Sequence, residues 1–163
     1  MGFEQYHEPA NELPQETRTF FVTAGTWERR PIFRAEPMAH LFLKTLENYR
    51  AQKKLELHEF VLMPDHFHVL LTPAPDVPLE KAVQLIKGGF SFRVKKDLGS
   101  STETWGTGYT EHRVKHAIDY QHHVAYIHEN PVRARLVEHA AAYPYGSASG
   151  RWPTDPTPLW LKP

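Results

Sequence analysis

Two histidines inside one apolar run constrain the fold of this chain more than any other feature. Residues 61–73 read VLMPDHFHVLLTP, with His66 and His68 two positions apart. The surrounding residues predict a β-strand, in which residues i and i+2 point to the same face of the sheet. Two imidazoles about 7 Å apart along a strand can bind one divalent cation. The spacing alone leaves a chance pair or a hydrogen-bonded structural pair as open alternatives.

The hydrophobic pattern on either side of this pair predicts an α+β domain. Strands are expected over residues 19–25, 55–63, 66–72 and 111–117, and amphipathic helices over residues 37–54 and 79–98. A third helix is expected over residues 119–130, with Asp119 as its N-cap and Pro131 as its stop. This order predicts the split βαβ, ferredoxin-like arrangement, an antiparallel sheet with helices on one face, followed by a C-terminal helix that carries Tyr126.

The composition excludes several kinds of protein. The chain has no cysteine, so disulfides, thiolate metal ligands and cysteine nucleophiles are excluded. No apolar run reaches the length of a membrane span and no apolar leader precedes the domain, so we expect a cytoplasmic protein with no membrane contact. The formal net charge is +0, which by itself gives no reason to expect nucleic acid.

The two ends of the chain differ in composition from the middle. Residues 1–17 contain four glutamates and no lysine or arginine, and are expected to form an acidic N-terminal arm. Residues 138–163 hold five of the 14 prolines and are expected to form an extended C-terminal tail. The folded domain is therefore expected over residues 18–137.

Tyr126 and Asn130 form a second pair with chemical potential. They are four residues apart on the third predicted helix and share a face, with Cβ atoms about 6 Å apart. A tyrosine hydroxyl becomes a nucleophile when it loses its proton, and an asparagine carbonyl oxygen is a neutral cation ligand. With the two histidines, these residue types suit metal-assisted cleavage of a phosphodiester. Tyr120 is the rival nucleophile, but its position on the helix turns it away from Asn130.

Four segments in order resemble one protein family. PDHFHVLL is similar to the HUH motif of single-tyrosine DNA endonucleases, two histidines around a bulky apolar residue. HHVAYIHENPVRARLV resembles the tyrosine-helix motif of the REP-associated tyrosine transposases, although Glu129 stands where that family often has an aromatic residue. IKGGFSFRV and WGTGYTEHRV are similar to the segments between those two motifs. The resemblance covers most of residues 18–149.

This resemblance implies a set of roles. His66, His68 and Asn130 would hold a divalent cation, Mg²⁺ or Mn²⁺, and Tyr126 would be the nucleophile. The implied reaction cleaves single-stranded DNA with imperfect hairpins, leaving a 5′-phosphotyrosine link and a free 3′-hydroxyl that can rejoin the strand. Imidazole ligands alone favour Zn²⁺ and later metals, so Mn²⁺ fits both considerations. The working form would be a monomer or a homodimer that exchanges tyrosine helices.

Further residues are candidates for supporting roles. The candidates for DNA contact are Lys87, Arg93, Tyr109, His112 and Arg133, with Tyr109 stacking on a base. His122 lies one turn before Tyr126 and is a candidate proton relay. Gly88 and Gly89 each cost roughly 1 kcal/mol inside a helix, so another chain or a phosphate backbone is expected to approach there closely.

Two other functions remain open from the residues alone. A zinc hydrolase would combine the histidine pair with His112 or His116, and would leave Tyr126 and Asn130 without a role. A non-catalytic module that binds DNA or RNA hairpins on a ferredoxin-like sheet would explain the aromatic residues and the basic helix. It would not explain why two histidines, an asparagine and a tyrosine occur together.

Overall fold

A four-stranded antiparallel sheet organises the computed structural model, which describes residues 18–163. The strands are β1 (Phe20–Gly25), β2 (Leu55–Met63), β3 (His66–Pro73) and β4 (Thr110–Arg113), in the spatial order β2-β3-β1-β4. All three neighbouring pairs are antiparallel. The α+β, ferredoxin-like prediction is confirmed, whereas the predicted acidic arm at residues 1–17 lies outside the described residues.

Helices cover both faces of the sheet. Helices α1 (Glu36–Ala51) and α2 (Leu79–Leu98) enclose the main core with alternate strand residues such as Val22, Phe67 and Val69. Helix α3 (Ala117–Arg133) packs on the opposite face, where Tyr120 and Ile127 join a second buried cluster. Because Phe67 points into the main core, the neighbouring histidines of β3 point to the face that α3 covers.

Both expected ends of the tyrosine helix were wrong. His116 is the N-cap, and its Nδ1 accepts a hydrogen bond from the backbone N–H of Asp119 at 3.2 Å. Pro131 lies inside the helix, which continues to Arg133. Proline removes only one hydrogen-bond donor, and the backbone N–H of Ala134 still bonds to the carbonyl of Asn130 at 3.0 Å. The carboxylate of Asp119 is consequently available for contacts with side chains.

The glycine pair in α2 has a different explanation from the one expected. A Cβ atom at Gly89 would overlap the Tyr49 hydroxyl of α1, so glycine allows these two helices to approach each other. Packing within the chain therefore accounts for Gly89, and the close approach of another chain or a phosphate backbone stays a prediction. A Cβ atom at Gly88 would meet nothing within 4 Å.

The C-terminal segment, residues 138–163, covers the outer edge of β2. The backbone N–H of Leu62 bonds to the carbonyl of Tyr145 at 2.8 Å, and that of Asp155 bonds to the carbonyl of Leu57 at 2.7 Å. The Asp155 carboxylate also accepts from the guanidinium of Arg50 at 3.1 Å. Covering this edge removes a row of unpaired backbone groups. Among the helices of residues 18–163, none is long and apolar enough to cross a membrane.

Candidate active site

The two histidines of β3 lie side by side, as their spacing predicted. In the sheet register His66 is opposite Gly25 and His68 is opposite Thr23, both on β1. Their ring centroids are 4.8 Å apart with the ring planes nearly perpendicular. Strand geometry therefore sets the spacing of the pair. His66 is the first residue of β3, and His68 lies two residues further along the strand.

Each imidazole is oriented through its Nδ1 atom. The Nδ1 of His68 lies 2.6 Å from the Thr23 hydroxyl, and the Nδ1 of His66 lies 2.6 Å from a carboxylate oxygen of Asp65. Hydrogen bonds of this kind on one ring nitrogen fix the orientation of metal-binding histidines. The arrangement leaves the Nε2 atoms of both rings as the nitrogens that can hold a ligand.

The Nε2 atom of His68 is the feature that best fits a metal. It is buried and has no hydrogen-bond partner among the residues that the structure describes. Burial, followed by the charges of His66 and Arg29, lowers the pKa of His68 to about 3. The imidazole is therefore neutral at physiological pH, which is the form that binds a metal.

The turn at Pro64 and Asp65, just before His66, is fixed by hydrogen bonds from residues outside the β2–β3 hairpin. The carbonyl of Asp65 accepts the backbone N–H of Thr26 at 2.9 Å, and the carbonyl of Pro64 accepts that of Phe33 at 3.1 Å. Burial alone would raise the pKa of the Asp65 carboxyl. The hydrogen bond and charge of His66, together with Arg29, outweigh that effect and hold the pKa below its ordinary value. Asp65 therefore stays ionised and keeps the His66 ring in place.

Arg29 brings a positive charge to this site from a strained stretch of backbone. Glu28 and Arg29 have φ angles of 52° and 53°, which cost of order 1–3 kcal/mol each for residues other than glycine. The Arg29 guanidinium lies 3.3 Å from both the Asp65 carboxylate and the Nδ1 of His66. Its side chain is 59% exposed, so it can meet an anion beside the histidine pair.

Tyr126 contacts His68 of the histidine pair directly. Its ring stands edge-on to that of His68, with centroids 5.2 Å apart, and the Arg133 guanidinium lies 4.7 Å from its centroid. Tyr126 is 41% exposed, whereas the rival Tyr120 is 1% exposed in the second core cluster. Asn130 is half-buried one turn after Tyr126. The structure thus brings Tyr126 and the histidines together and leaves Tyr120 buried in the core.

Two predicted DNA contacts also have structural partners inside the protein. The Lys87 ammonium donates to the carbonyls of Gly106 at 3.3 Å and Gly108 at 2.8 Å, and burial lowers its pKa. Tyr109 packs against the main core, and burial raises its pKa to about 12. Both side chains thus stabilise the loop before β4. The roles of Lys87, Tyr109 and Arg93 in binding DNA stay predictions.

Three other histidines with predicted roles, His112, His116 and His122, have positions or partners away from the pair. His112 on β4 bonds to Asp119 at 2.7 Å, and His116 caps α3, while His122 is exposed. Two strand spacings and a two-residue offset put the backbones of His112 and His68 about 12 Å apart. The third ligand required by the zinc-hydrolase alternative is therefore not supplied by His112.

Several residues of the site escaped the sequence analysis. The adjacency of Asp65 to His66 was a usable signal, because carboxylates commonly orient metal-binding histidines. Thr23 could be found only from the register between β1 and β3. The position of Arg29 depends on an unusual backbone conformation that the sequence does not reveal. The stacking of Phe21 on His68, with centroids 5.4 Å apart, depends on the same register between β1 and β3.

Comparisons with known proteins identify a family and a relative of this chain. The family described as "Transposase IS200 like" matches residues 19–130. A REP-associated tyrosine transposase of Escherichia coli (strain K12) is 25% identical over 156 residues, which cover 86% of this chain and 89% of that protein.

Solved structures share the fold. One described as a REP-associated tyrosine transposase bound to a REP hairpin has a TM-score of 0.67 at 23% identity, and the match covers 100% of this chain and 97% of that one. A second, described provisionally as a transposase from Deinococcus radiodurans R1, has a TM-score of 0.52 at 20% identity and covers 76% of this chain and 92% of its own. Because the family match spans most of the chain and includes the histidine pair and Tyr126, this chain belongs to the IS200-like transposase family, as its resemblance to the REP-associated tyrosine transposases predicted.

Proposed function

We propose that this transposase cleaves and rejoins single-stranded DNA at hairpin-forming repeats, with Tyr126 as the nucleophile. The observation that carries the proposal is the contact between Tyr126 and His68, whose buried Nε2 has no partner among residues 18–163. A half-exposed tyrosine beside an unpartnered imidazole nitrogen is better explained by a role in phosphodiester cleavage than by a structural role.

His66, His68 and Asn130 are the residues that would hold the divalent cation, Mg²⁺ or Mn²⁺. When bound, such an ion polarises a phosphate oxygen and offsets the negative charge that develops on it. The hydrogen bonds that join the Nδ1 of His68 to Thr23 and the Nδ1 of His66 to Asp65 support this assignment, because they fix the orientation of both rings.

In the proposed cleavage, the Tyr126 oxygen attacks a backbone phosphorus atom. A tyrosine O–P bond forms, and the bond between phosphorus and the 3′-oxygen of the preceding nucleotide breaks. The tyrosine proton leaves to solvent or to His122, one turn earlier, and the departing 3′-oxygen takes up a proton. Attack of a 3′-hydroxyl on the phosphotyrosine reverses these steps, so rejoining needs no external energy source.

Positive charge around Tyr126 supports a nucleic-acid substrate. Arg133 stacks on the tyrosine ring and Arg29 flanks His66, so a phosphate at Tyr126 would lie between two guanidinium groups. The structural neighbour described as bound to a REP hairpin suggests hairpin DNA as the partner. Arg93, Lys87, Tyr109 and His112 are the further candidates for contact with that hairpin.

The position of Tyr126 supports a monomer as the working form. In this chain α3 docks on its own sheet, and its tyrosine meets the histidines of the same chain. A homodimer that exchanges tyrosine helices would require this contact to form between chains. Mixing a Tyr126→Phe chain with a His66→Ala chain distinguishes the two, because only helix exchange would restore activity in the mixture.

The test of the reaction class is incubation with labelled hairpin-bearing single-stranded DNA and Mn²⁺, followed by a denaturing gel. We expect a covalent protein–DNA band that EDTA and Tyr126→Phe each abolish, and that Tyr120→Phe leaves in place. Cleavage without a covalent band, equal in wild type and Tyr126→Phe, would instead indicate hydrolysis by a metal-bound water. Tight, EDTA-resistant binding without cleavage would indicate a hairpin-binding module.

A further inference from the structure

A second histidine cluster lies on the same side of the sheet as the active site. We call it the β4–α3 cluster, and it consists of His112 on β4 with Asp119 and His123 on α3. One ligand atom from each residue lies within 4.8 Å of the others. The Asp119 carboxylate is 2.7 Å from the Nε2 of His112 and 3.2 Å from the Nδ1 of His123. The two imidazole rings are stacked with centroids 4.9 Å apart.

We propose that the β4–α3 cluster is a second cation site, for Zn²⁺ or a similar late divalent metal. Two imidazoles and one carboxylate are a common set of three protein ligands for zinc. Ligand atoms about 2.1 Å from a tetrahedral ion are about 3.4 Å apart. The ligand atoms of the cluster lie within 4.8 Å of one another, and the His112–Asp119 distance of 2.7 Å would have to widen to admit the ion.

Both candidate sites combine two imidazoles with one oxygen ligand, the amide carbonyl of Asn130 at the active site and the carboxylate of Asp119 in the β4–α3 cluster. Imidazole ligands favour zinc and other late metals, so zinc is the probe chosen for the β4–α3 cluster. Asp119 supplies a negative charge inside the cluster, and His112 is exposed, which leaves room for a water molecule as fourth ligand. Binding of the ion would displace the present hydrogen bonds of the cluster, which include one between the Nδ1 of His123 and the backbone carbonyl of Asp119 at 2.8 Å.

The β4–α3 cluster is separate from the histidine pair of the active site. The Phe21 ring lies between them, 4.5 Å from the His123 ring and 5.4 Å from the His68 ring, measured between centroids. Phe21 also touches Tyr126, with centroids 6.0 Å apart. An ion in the β4–α3 cluster would therefore not contact the reacting phosphate. It would affect the reaction only by positioning the helix that carries Tyr126.

The position of the cluster gives the ion a function. Asp119 and His123 are one turn apart on the tyrosine helix, whereas His112 belongs to the short edge strand β4. An ion bound by all three would tie the first half of α3 to the sheet of its own chain. His123 is only three residues before Tyr126, so this link would favour docking of the tyrosine within one chain over exchange between chains.

The experiment uses the untagged full chain with His66→Ala and His68→Ala, so that the active-site pair cannot bind the probe. After EDTA treatment and dialysis, Zn²⁺ is titrated by calorimetry and the bound metal is counted by equilibrium dialysis. We expect one zinc ion per chain, and a rise in melting temperature with zinc because the ligand binds only the folded state. Adding His112→Ala or Asp119→Asn should remove both the bound ion and the rise in melting temperature.

His122→Ala is the matched control, because His122 is an exposed histidine next to His123 on the same helix. It should keep the zinc ion. The absence of bound zinc in the parent chain would overturn the proposal, as would an equal loss in the His122→Ala control. If His112→Ala does not fold, the loss of bound zinc is measured in Asp119→Asn instead, because this substitution keeps the shape of the side chain. No DNA is cleaved in this experiment, so its failure is distinct from failure of the tyrosine reaction.

Discussion

The two histidine clusters of this protein differ in how their nitrogen atoms are satisfied. In the active site, the Nε2 of His68 is buried with no partner among residues 18–163, although such an atom costs about 1–3 kcal/mol. In the β4–α3 cluster, one carboxylate already meets both imidazoles. The first arrangement leaves one buried nitrogen for a ligand, whereas the second pairs its ligand atoms with one another.

The contrast extends to the surroundings of each cluster. His68 is 5% exposed and lies inside the sheet between β1 and β2, whereas His112 is exposed on the edge strand β4. Burial keeps the first imidazole neutral and rigid, which suits an ion that must be placed accurately beside Tyr126. The exposure of His112 suits an ion that would stabilise the docking of α3 on the sheet.

The largest expected effect comes from removing the nitrogen that has no partner. His68→Ala should abolish Mn²⁺-dependent DNA cleavage, because the variant loses a proposed metal ligand rather than a residue that orients one. It should also abolish any rise in melting temperature that Mn²⁺ produces. Cleavage rates and thermal melts with and without Mn²⁺ measure both effects. Cleavage near the wild-type rate in His68→Ala would contradict the role assigned to this residue.

A smaller effect is expected from removing the hydroxyl that orients His68. Thr23→Val should weaken Mn²⁺ binding and cleavage by about 10- to 100-fold, since the ring loses its hydrogen bond at Nδ1. The measurement is the Mn²⁺ concentration required for half-maximal cleavage. Thr110→Val is the matched control, because Thr110 lies opposite Thr23 on β4 and is exposed. Equal losses in the two variants would show that the hydroxyl of Thr23 does not orient the ring.

Changing the β4–α3 cluster should affect the reaction less than either change to the active site. Asp119→Asn removes the charge between two imidazoles but leaves the contact between Tyr126 and His68 in place. We expect the cleavage rate at saturating Mn²⁺ to fall by less than about tenfold, corresponding to less than about 1.4 kcal/mol. The measurement is single-turnover cleavage, and a loss as large as that of His68→Ala would place Asp119 in the reaction itself.

The smallest effect concerns an imidazole–carboxylate pair elsewhere on the tyrosine helix. His128 on α3 bonds to Glu59 of β2 at 2.8 Å, and this hydrogen bond raises the His128 pKa despite partial burial. A raised pKa in the folded protein means that the pair stabilises the fold below the ordinary histidine pKa of about 6.5. That stability is lost as the pH rises through the folded pKa.

His128→Gln should therefore flatten the decline in unfolding free energy above about pH 6.5, by less than about 1 kcal/mol. Urea unfolding of wild type and variant across this pH range measures the change. His122→Gln is the control, because its exposed side chain should leave the profile unaltered. An unchanged decline in His128→Gln would assign the pH dependence to another group.

Local patterns made much of the fold predictable. The limits of α2 and β2 agree with the sequence prediction because residues that interrupt regular structure flank them: Pro78 and Gly99 bound α2, and Pro64 follows β2. The same-face placement of His66 and His68 follows from the two-residue period of a strand. Tyr126 was preferred over Tyr120 from helical spacing alone, and Tyr120 is indeed buried in the core.

Contacts between distant segments were out of reach. The partners of His68 and Asp119 depend on the strand order β2-β3-β1-β4. This order brings Thr23 and His68, which are 45 positions apart in the sequence, within hydrogen-bond distance. Asp119 was expected to cap α3 because acidic residues favour that position, but His116 takes the cap. Gly89 required knowledge of the packing between α1 and α2, since its neighbour Tyr49 lies on another helix.

The central claim is that Tyr126 makes the covalent link to DNA, and mapping the link tests it most directly. The protein–DNA adduct formed with Mn²⁺ is digested with nuclease and protease, and mass spectrometry locates the residue that carries the nucleotide. We predict a 5′-phosphate ester on the Tyr126 oxygen. A nucleotide on Tyr109 or another residue, or cleavage that leaves every tyrosine unmodified, would contradict the account.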